Sequence, residues 1–540
     1  MKRFQYFFLI GILLVAASVR LWNLGVVPPS PDWDEAALGY NAYSILKTGR
    51  DEYGTFLPVS LRSYDDYKPP LYAYLAIPSI AAFGLNTWAV RLPSAIMGVL
   101  AVLGTYVLVK ELFQKSLITY HLSLITSFLL AISPWHIQFS RIAFEANIGV
   151  TLNIWALVCF FRSFKKKSWL VVSAILFGLG LYTYHSERIF LPFFVLCLGW
   201  IYRRELLVQK RVLAIAIIAG FFTVAPLFRI FFDSNTLTRL RGTSSLADQT
   251  MLLARSVTKL EEDQKNANPW GIVFDNRRFV WAKTIVNGYL SHYSLRWLFL
   301  TGDNPRHHAP DMGLLYLWEL PFLLWGIYAL SRSGGQSARF LFSWFLIAPI
   351  AASPTTELPH AIRSIVFLPT FQIFTAIGVF NFLHWIRLKR NFLKVLLSLS
   401  LSIFISSNIF YYFHMYFGHT NVEFSQYWQY GYKQAVEYAQ AHKAQYKRIV
   451  VSTKLEQPHM FFLYYLRYDP AMYLKEGGTA SGGFAEYRNK FDIYEFREID
   501  WVKEVRDGTT LFIGTPQEIS GGVIKTIYYL DGNEAIRIAK

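Results

Sequence analysis

The chain contains more long apolar segments than a soluble fold would bury. Of its 540 residues, 53% are hydrophobic and only 16% are charged, whereas soluble domains carry about 25% charged residues. Because a membrane-spanning helix needs about 20 mostly apolar residues, we predict an α-helical polytopic membrane protein with about eleven transmembrane helices. The predicted spans are residues 4–25, 90–110, 117–135, 146–162, 168–185, 189–202, 211–231, 312–331, 338–352, 364–386 and 393–415.

The loops between these segments divide into a basic set and a more acidic set. Cytoplasmic loops carry an excess of Lys and Arg, which places the N-terminus in the cytoplasm. Residues 71–84 are apolar but contain Pro78 and are too short to span, so we expect a juxtamembrane helix on the outer surface. The predicted cytoplasmic loops hold Lys110, Lys115, Arg162, Lys165, Lys166, Lys167, Arg203, Arg204, Lys210, Arg211, Arg332, Arg339, Arg387, Lys389, Arg390 and Lys394.

The other segments are predicted to lie on the outer face of the plasma membrane. After residue 415 the composition becomes that of a soluble protein, with helix and strand patterns and a hairpin signal at Asp531-Gly532. We therefore predict a transmembrane domain over 1–415 and a small α/β extracytoplasmic domain over 416–540. The predicted outer segments are the first outer loop at 27–88, loops 136–146, 184–189 and 353–363, a long loop at 231–311, and the C-terminal domain.

Charge and cysteine content exclude two other classes of protein. The net charge of +17 would suit nucleic acid only if it formed a basic patch on a folded face. Here much of it lies in short clusters between apolar segments, which indicates topology instead. The two cysteines, Cys159 and Cys197, both lie in apolar segments, which argues against a disulfide framework or a cysteine metal site.

The first outer loop begins with a cluster of carboxylates, Pro31-Asp32-Trp33-Asp34-Glu35. Two carboxylates at a membrane surface suit a general base for an acceptor hydroxyl and a partner that orients it. Asp32 or Asp34 could equally cap the helix that follows. The Asp-x-Asp spacing could also hold a divalent metal.

The same loop ends in Tyr64-Asp65-Asp66-Tyr67-Lys68-Pro69-Pro70. The two prolines fix an extended approach to the juxtamembrane helix. Lys68 is a compact positive charge that suits a phosphate, and its neighbours Asp66 and Tyr67 are further candidates. Interfacial snorkelling by Lys and Tyr is the structural alternative.

Four more outer motifs place ionisable side chains near the membrane surface. Such residues are functional candidates by default, although a helical pair between Arg141 and Glu145 or contacts with lipid headgroups would also explain them. Together the cations would form a ring suited to a lipid phosphate, and a histidine with a carboxylate could bind a metal. The candidates are Arg141, Glu145, Tyr184, Arg188, Arg306, His307, His308, His360 and Arg363.

Four features occur together in this sequence: the acidic pair Asp34-Glu35, the entry Lys68-Pro69-Pro70-Leu71-Tyr72, the span start Arg91-Leu92-Pro93-Ser94-Ala95 and the outer-loop pair Ser140-Arg141. Together they resemble the GT-C membrane glycosyltransferases, and the bacterial protein O-mannosyltransferase and aminoarabinose-transferase-like group in particular. The resemblance implies a sugar donor on a polyprenyl phosphate, presented on the outer leaflet, and an inverting direct displacement at the anomeric carbon.

The resemblance also implies roles for individual residues. Asp34 is the expected base that deprotonates the acceptor, with Glu35 beside it, and Lys68 is expected to meet the lipid phosphate with help from Arg363. Glu145 stands one position away from the Asp of the mannosyltransferases. Tyr67 replaces the acid that precedes the lysine in the aminoarabinose-transferase-like members, which leaves the metal requirement open.

The predicted function is transfer of a single sugar to an acceptor hydroxyl on a protein, a lipid or a wall glycan. A lipid or glycolipid transporter is the alternative from another class, and it would require paired, broken helices and ionisable residues near mid-span. A non-catalytic surface-assembly protein would leave the carboxylates of the first outer loop unexplained. Membrane lipid is an expected partner and nucleic acid is not; no cofactor is assigned, and a divalent metal stays open.

Overall fold

The computed structural model describes residues 2–64, 66–113, 117–231, 244–245, 250–480 and 489–540. Each of the eleven predicted spans overlaps a helix, because apolar runs of this length satisfy their own backbone hydrogen bonds in helical form. These helices are Lys2–Leu21, Thr87–Leu112, Leu117–Ile132, Ala146–Ser163, Trp169–Gly180, Glu187–Ile201, Lys210–Val224, Glu319–Ser333, Gly335–Ile347, Thr370–Arg387 and Asn391–His414.

Not all of these helices are long enough to cross a membrane by themselves. Among the described residues, five helical segments are sufficiently long and apolar, and a sixth is added if the bent pair Thr119–Ile132 and Pro134–Ser140 forms one span. In the last segment, Asn391–Glu423, 0% of the residues in its most apolar stretch are buried within the protein. In Ala146–Ser163 the buried share of that stretch is 83%. An apolar helix exposed in this way suits contact with lipid. That all eleven helices cross the membrane stays a prediction.

The first outer loop folds into two helices, Trp33–Thr48 and Leu71–Phe83, with a short antiparallel hairpin, Leu61–Ser63 and Asp66–Lys68, between them. Asp32 caps the first helix in a reciprocal capping box with Glu35, so the capping interpretation holds for Asp32. Asp34 lies inside the first turn of that helix.

The helix Leu71–Phe83 lies along one face of the protein. At its start the Leu71 amide donates to the carbonyl oxygen of Tyr182 (3.2 Å). At its other end Phe83 packs edge-on against Trp88, and Leu85 belongs to a core shared with the C-terminal region. Both ends of this helix are therefore held by contacts with other parts of the protein, and its juxtamembrane position stays a prediction.

The loops predicted to lie on one side of the membrane do contact each other. On the predicted cytoplasmic side Arg162 and Lys165 both pair with Glu111, and Gln336 donates to Glu205 (2.9 Å). On the opposite side the first outer loop contacts loops 136–146 and 302–308, as described below. The loops therefore form two groups that match the predicted cytoplasmic and outer sets. Which group lies inside and which lies outside stays a prediction. Lys115 lies outside the described residues.

Shorter helices complete the membrane part and the segment predicted as a long loop. Within 231–311 the structure has two helices of 15 or 16 residues where the sequence predicted only a loop; both are amphipathic surface helices without a strong apolar run. The shorter elements are Pro134–Ser140, Arg203–Leu207, Ala225–Leu227, Phe228–Phe231, Thr250–Lys265, Gly271–Phe274, Arg277–Ser291, Trp297–Thr301, Ile365–Phe367, Met415–His419, Thr420–Glu423 and Ser425–Trp428.

The C-terminal region forms a mixed sheet with helices Tyr432–His442, Pro458–Leu466 and Pro470–Lys475. The central strand Arg448–Val451 runs parallel to both of its neighbours, and the hairpin at Asp531-Gly532 joins the last two strands as predicted. In spatial order the six described strands are Lys490–Phe491, Tyr494–Phe496, Arg448–Val451, Thr510–Gly514, Glu534–Ala539 and Val523–Tyr528.

The C-terminal region and the first outer loop share one hydrophobic core. Buried side chains of the helix Trp33–Thr48 join those of the helix Pro458–Leu466 in a single cluster, which includes Tyr40 and Phe461. A polar contact reinforces this junction, because the hydroxyl of Thr479 donates to the Glu52 carboxylate (2.7 Å). The first outer loop is therefore fixed from both the membrane side and the C-terminal side.

Two glycines allow close packing of the helices Glu319–Ser333 and Thr370–Arg387. A Cβ atom at Gly326 would clash with the carbonyl oxygen of Phe374, and one at Gly378 would clash with the carbonyl oxygen of Phe322. Small residues at such crossings allow membrane helices to approach backbone to backbone.

We expect Gly326→Ala and Gly378→Ala each to destabilise the protein by about 1–3 kcal/mol, the usual cost of overpacking. Thermal unfolding in detergent measures the effect. Gly11→Ala is the matched control, since a Cβ there would meet no described atom within 4 Å. An equal change in all three variants would contradict the packing account.

Candidate functional site

The candidate site is built around a buried ion pair between Glu35 and Arg91. Both side chains are fully buried, and the guanidinium donates from Nε and Nη2 to the two carboxylate oxygens at 2.8 Å each. The Ala143 amide donates to the same carboxylate (2.7 Å). Buried charges are tolerated when they are paired and hydrogen-bonded in this way.

Arg91 also holds the chain that enters the first outer loop. Its remaining hydrogen bonds go to the carbonyl oxygens of Leu24 (3.1 Å), Pro28 (2.8 Å) and Ser30 (2.7 Å). These contacts fix residues 24–30 above the start of the helix Thr87–Leu112. The oxygens of Glu35 are therefore engaged in holding the loops together.

Asp32 is fully buried and pairs with Arg306, whose Nη1 lies 3.0 Å from its carboxylate. The Arg306 guanidinium also lies over the ring of Trp33, 4.5 Å from its centroid. The Gln138 amide donates to the Arg306 backbone carbonyl (2.5 Å). The first outer loop is thus joined to residues 302–308 and to the helix Pro134–Ser140.

Asp34 forms an ion pair with Lys68 at the edge of this cluster. The side chain of Asp34 is 33% exposed, whereas that of Lys68 is only 8% exposed. Lys68 also lies over the Tyr64 ring, 5.4 Å from its centroid. The first outer loop begins with three carboxylates, Asp32, Asp34 and Glu35. Of these three, Asp34 is the one that solvent or a bound acceptor can reach.

Burial, together with repulsion from the neighbouring Asp34, raises the pKa of Asp32 to about 7, although the charge of Arg306 opposes the shift. The charge on Asp32, and with it the attraction to Arg306, therefore changes near neutral pH.

A second cluster lies next to Arg306. Asp303 is 3.0 Å from the Nδ1 atom of His307 and 3.8 Å from that of His360, and the Ala361 amide donates to it (2.5 Å). Burial and the nearby His307 hold the pKa of His360 well below its usual range, so that its imidazole is neutral. Two imidazoles and a carboxylate are a donor set that could hold a metal ion.

The other predicted residues surround these clusters in varied settings. Arg141 donates to the carbonyl oxygens of Val19 (2.6 Å) and Val27 (3.0 Å), and residues 141–145 are not helical, so the predicted helical pair with Glu145 is wrong. A helical pair would need a continuous helix from Arg141 to Glu145, but the chain turns here from one helix to the next. Glu145 is buried just before the helix Ala146–Ser163.

Three further candidates are held by their own loops. Arg188 donates to the Leu181 carbonyl (3.3 Å) near the buried Tyr184, and His308 contacts the Ala309 carbonyl through Nδ1 (2.6 Å). Arg363 donates to the hydroxyl of Thr355 (2.8 Å) and to the Thr356 carbonyl (2.7 Å). Tyr67 lies in the second strand of the hairpin, and the side chain of Asp66 lies outside the described part of the chain. The roles assigned to these residues stay predictions.

A cavity of about 660 Å³ opens between the first outer loop and the C-terminal region. Its lining includes Ser30, Tyr430, Tyr465 and Arg467, and does not include Asp34, Lys68 or Arg306. The hydroxyl of Tyr465 is hydrogen-bonded to that of Ser30 (3.0 Å). The ion-pair cluster and this cavity are therefore separate features of the same junction.

Sequence reasoning assigned no individual role in the site to Arg91 or Asp303. Arg91 appeared only as part of a span-start motif, and Asp32 appeared as a possible helix cap and as part of an Asp-x-Asp pair that could hold a metal. Asp303 and His307 have a visible i,i+4 spacing in Gly302-Asp303-Asn304-Pro305-Arg306-His307, but nothing in the sequence connects them to His360. Contacts across such distances depend on the fold.

Comparison with known proteins supports the family resemblance. The sequence model of the family described as dolichyl-phosphate-mannose-protein mannosyltransferase matches residues 67–229. YkcB of Bacillus subtilis (strain 168), whose name gives mannosyltransferase as a provisional function, is 28% identical over 195 residues. That match covers 35% of this chain and spans only about a quarter (25%) of the relative's length.

The fold also matches solved structures over nearly the whole chain. ArnT from Cupriavidus metallidurans in the apo state has a TM-score of 0.56 at 12% identity, covering 99% of this chain and 98% of that one. Its undecaprenyl phosphate complex gives 0.55 at 11% identity, with 98% and 97% covered. The oligosaccharyltransferase AglB from Archaeoglobus fulgidus, with an inhibitory peptide and a dolichol-phosphate, gives 0.50 at 14% identity, with 86% and 64% covered.

These matches make the chain similar to a protein mannosyltransferase family over part of its sequence. In its fold the chain is similar to ArnT. The transporter alternative is not favoured, because the sequence matches name mannosyltransferases and the solved structures share a transferase fold.

We expect Glu35→Gln to destabilise the protein strongly, because it would leave the buried Arg91 charge without a partner. Removing one member of a buried pair costs about 3–5 kcal/mol. Thermal unfolding in detergent measures the effect. Glu437→Gln is the matched control: Glu437 is 63% exposed and its pair with Lys433 lies on the surface, where such pairs contribute little. A similar loss in both variants would argue against the proposed role of Glu35.

The raised pKa of Asp32 predicts a pH dependence of stability. The folded protein holds the Asp32 proton up to about pH 7, whereas an ordinary Asp loses it near 3.8. Between these values the folded state binds more protons than the unfolded state, so stability falls as pH rises. Asp32→Asn retains a good capping residue and removes the titration.

The Tm of the wild type relative to that of Asp32→Asn should therefore fall as pH rises from 5 to about 7 and level off above it, as the linkage relation requires. Taking the difference between the two proteins cancels the titration of all other groups. A difference that stays constant or rises over this interval would show that the pKa of Asp32 is not raised.

Proposed function

We propose that the protein transfers a single sugar from a polyprenyl-phosphate donor to an acceptor hydroxyl by inverting direct displacement. The observation that carries this proposal is the ion pair between the partly exposed Asp34 and the nearly buried Lys68. It brings a candidate base and a candidate phosphate ligand into contact at the edge of the buried ion-pair cluster.

The pair suggests how donor binding prepares the base. With no anion bound, Lys68 neutralises Asp34. A donor phosphate would compete for the Lys68 ammonium, because charge-assisted contacts to phosphate are strong. Asp34 would then lose the neutralising charge of Lys68 and could accept the proton of the acceptor hydroxyl, so that base strength increases only when the donor is in place.

The leaving group is a lipid phosphate, which departs without protonation when cations stabilise its developing charge. Lys68 is the first cation proposed for this task. Arg306 lies nearby through its pair with Asp32, and Arg188 and Arg363 belong to loops on the same face. We propose that these arginines help to bind the donor phosphate. Glu35 is proposed as a positioning residue, because Arg91 and the Ala143 amide already occupy its oxygens.

Glu145 is proposed as a second carboxylate near the acceptor. It lies two residues from Ala143, whose amide is bonded to Glu35, and it is mostly buried. We retain it as an orienting residue and not as the base, because Asp34 is the more accessible of the two. Arg141 is assigned to support of the backbone, since it donates to the carbonyls of the first span and the first outer loop.

The chemical identity of the substrates is proposed from the relatives. Mannose is the sugar in the name of the matching family, undecaprenyl phosphate is bound in an ArnT structure, and a peptide is bound in an AglB structure. We propose a polyprenyl-phosphate-linked hexose, with mannose first among the candidates, and a protein, lipid or wall-glycan acceptor. The site would face the outside of the plasma membrane.

We expect Asp34→Asn to lower the rate of transfer at least about 100-fold, the usual contribution of a general base. Purified protein in liposomes would be incubated with undecaprenyl-phosphate mannose, with other undecaprenyl-phosphate sugars and with envelope extract, and transfer of labelled sugar would be measured. The Tm of both proteins would be measured in parallel, so that loss of the base is distinguished from loss of the fold.

Lys68→Met provides the contrasting variant on the donor side. It should raise the KM for the donor, and Lys68→Arg should restore part of the donor affinity because the positive charge is kept. Equal transfer by wild type and Asp34→Asn would overturn the assignment of the base. Failure of the wild type to consume any of the donors would overturn the transferase proposal itself.

A further inference from the structure

The cavity between the first outer loop and the C-terminal region is lined by polar side chains that the fold does not use. The hydroxyl of Tyr464 is buried beside Thr87 and makes no hydrogen bond of ordinary geometry with a described residue. The side chains of Tyr430, Gln434 and Arg467 line the same cavity without a hydrogen bond or ion pair to any described residue. A buried polar group in this state is costly and calls for an explanation. A polar ligand in the cavity would provide the missing partners.

The size and the walls of the cavity suit a small molecule. Its volume of about 660 Å³ lies within the range of about 300–1,000 Å³ that is usual for ligand pockets. One wall is fixed where the hydroxyls of Ser30 and Tyr465 are hydrogen-bonded (3.0 Å). Another is fixed where Asn86 caps the helix Thr87–Leu112 and accepts from the Ala89 amide (3.0 Å). Walls held in this way reduce the ordering cost of binding.

Arg467 reaches the cavity from an uncommon backbone conformation. It follows the helix Pro458–Leu466 with a φ of 50°, in the left-handed region that residues other than glycine seldom adopt. Backbone outliers of this kind cluster at binding and active sites. Since its guanidinium makes no contact that would explain this conformation, Arg467 is a candidate ligand contact.

The charges around the cavity favour a ligand that is neutral or nearly so. Lys433 and Glu437 lie on the rim, 3.8 Å apart and 61% and 63% exposed, and they offset each other. Arg467 is therefore the one lining charge that has no counter-charge among the described residues. A single guanidinium is a poor match for a multiply charged phosphate, which is bound by several charge-assisted contacts. An acyl chain would leave the Tyr464 hydroxyl buried without a partner, which is unfavourable.

We propose that this cavity binds a neutral saccharide at a distance from the reacting groups. Each sugar hydroxyl can donate and accept, which matches the amide of Gln434, the guanidinium of Arg467 and the hydroxyl of Tyr464. Tyrosine combines an apolar ring with a polar tip. Tyr430 and Tyr465 can therefore pack against the C–H face of a sugar ring while their hydroxyls remain hydrated or hydrogen-bonded.

This saccharide site is distinct from the proposed reaction site. The cavity lining includes Pro31 but neither Asp34 nor Lys68. Gly25 and Thr87, which lie at the ends of the first two predicted spans, also line it, so the saccharide could belong to a wall glycan or to the headgroup of a glycolipid. The site would hold part of a glycan beside the first outer loop. Because binding is measured without a sugar donor, its outcome does not depend on the transferase proposal.

The test is saccharide binding by the full-length protein with no donor present. In one arm, mannobiose, cellobiose and chitobiose are titrated into detergent-purified protein by calorimetry, with inorganic phosphate and a serine-containing peptide for comparison. In the other arm, the Tm is measured in nanodiscs with and without diglucosyldiacylglycerol. At least one neutral saccharide should bind and raise the Tm, as a ligand of the folded state does. Binding of a free disaccharide would indicate a glycan chain as the source, and a Tm shift by the glycolipid alone would indicate a lipid.

Two variants test the contacts inside the cavity. Tyr464→Phe removes only a hydroxyl, so the Tm of the ligand-free protein should not fall, whereas saccharide affinity should drop about threefold or more. Arg467→Ala should weaken binding at least about tenfold, as loss of a hydrogen bond to a charged group does. Tyr528→Phe and Arg506→Ala are the matched controls, because both side chains are exposed in the same region and neither lines the cavity.

Several results would overturn the proposal. One is the absence of binding by every neutral saccharide in both arms, and another is tighter binding of phosphate or of the peptide than of any saccharide. Unchanged affinity in Tyr464→Phe and Arg467→Ala, or an equal loss in the two control variants, would show that the saccharide does not bind in this cavity.

Discussion

The buried ion pair between Glu35 and Arg91 determines the arrangement of the proposed catalytic side of the molecule. Arg91 binds the entry of the first outer loop through backbone carbonyls, and Glu35 binds the amide of Ala143 in the next outer loop. Two charges without water are stable only when nearly all of their hydrogen-bonding capacity is used. The pair therefore joins two loops and a helix in one geometry, and Asp34 is placed next to it.

The three neighbouring carboxylates differ because their surroundings differ. Asp32 is buried and shares its charge with Arg306, Glu35 is buried and committed to Arg91, and Asp34 remains partly exposed beside Lys68. The sequence contains them within four residues, but helix geometry directs consecutive side chains to different sides. One short motif thus provides a cap, a structural anchor and the proposed base.

The C-terminal region also contributes to the site, although it provides none of the proposed catalytic residues. Its helices share a core with the helix Trp33–Thr48, so the first outer loop packs between two hydrophobic bodies. A loop fixed in this way can hold reacting groups with little reorganisation. The amphipathic helices within 250–291 and the exposed helix Asn391–His414 lie away from this core and present much more of their surface to the surroundings.

The sequence by itself predicted the apolar helices, the two sets of loops, the short helix Leu71–Phe83 and the candidates Asp34 and Lys68, because these depend on local composition, spacing and motif order. Only the tertiary structure decided that Arg91 anchors Glu35, that Arg306 meets Asp32, and that Asp303 and His307 face His360. These contacts join residues more than 50 positions apart, and nothing in the local sequence records such distances. The helical segments within 231–311 were also decided by the fold, since their apolar pattern is too weak to be recognised from sequence.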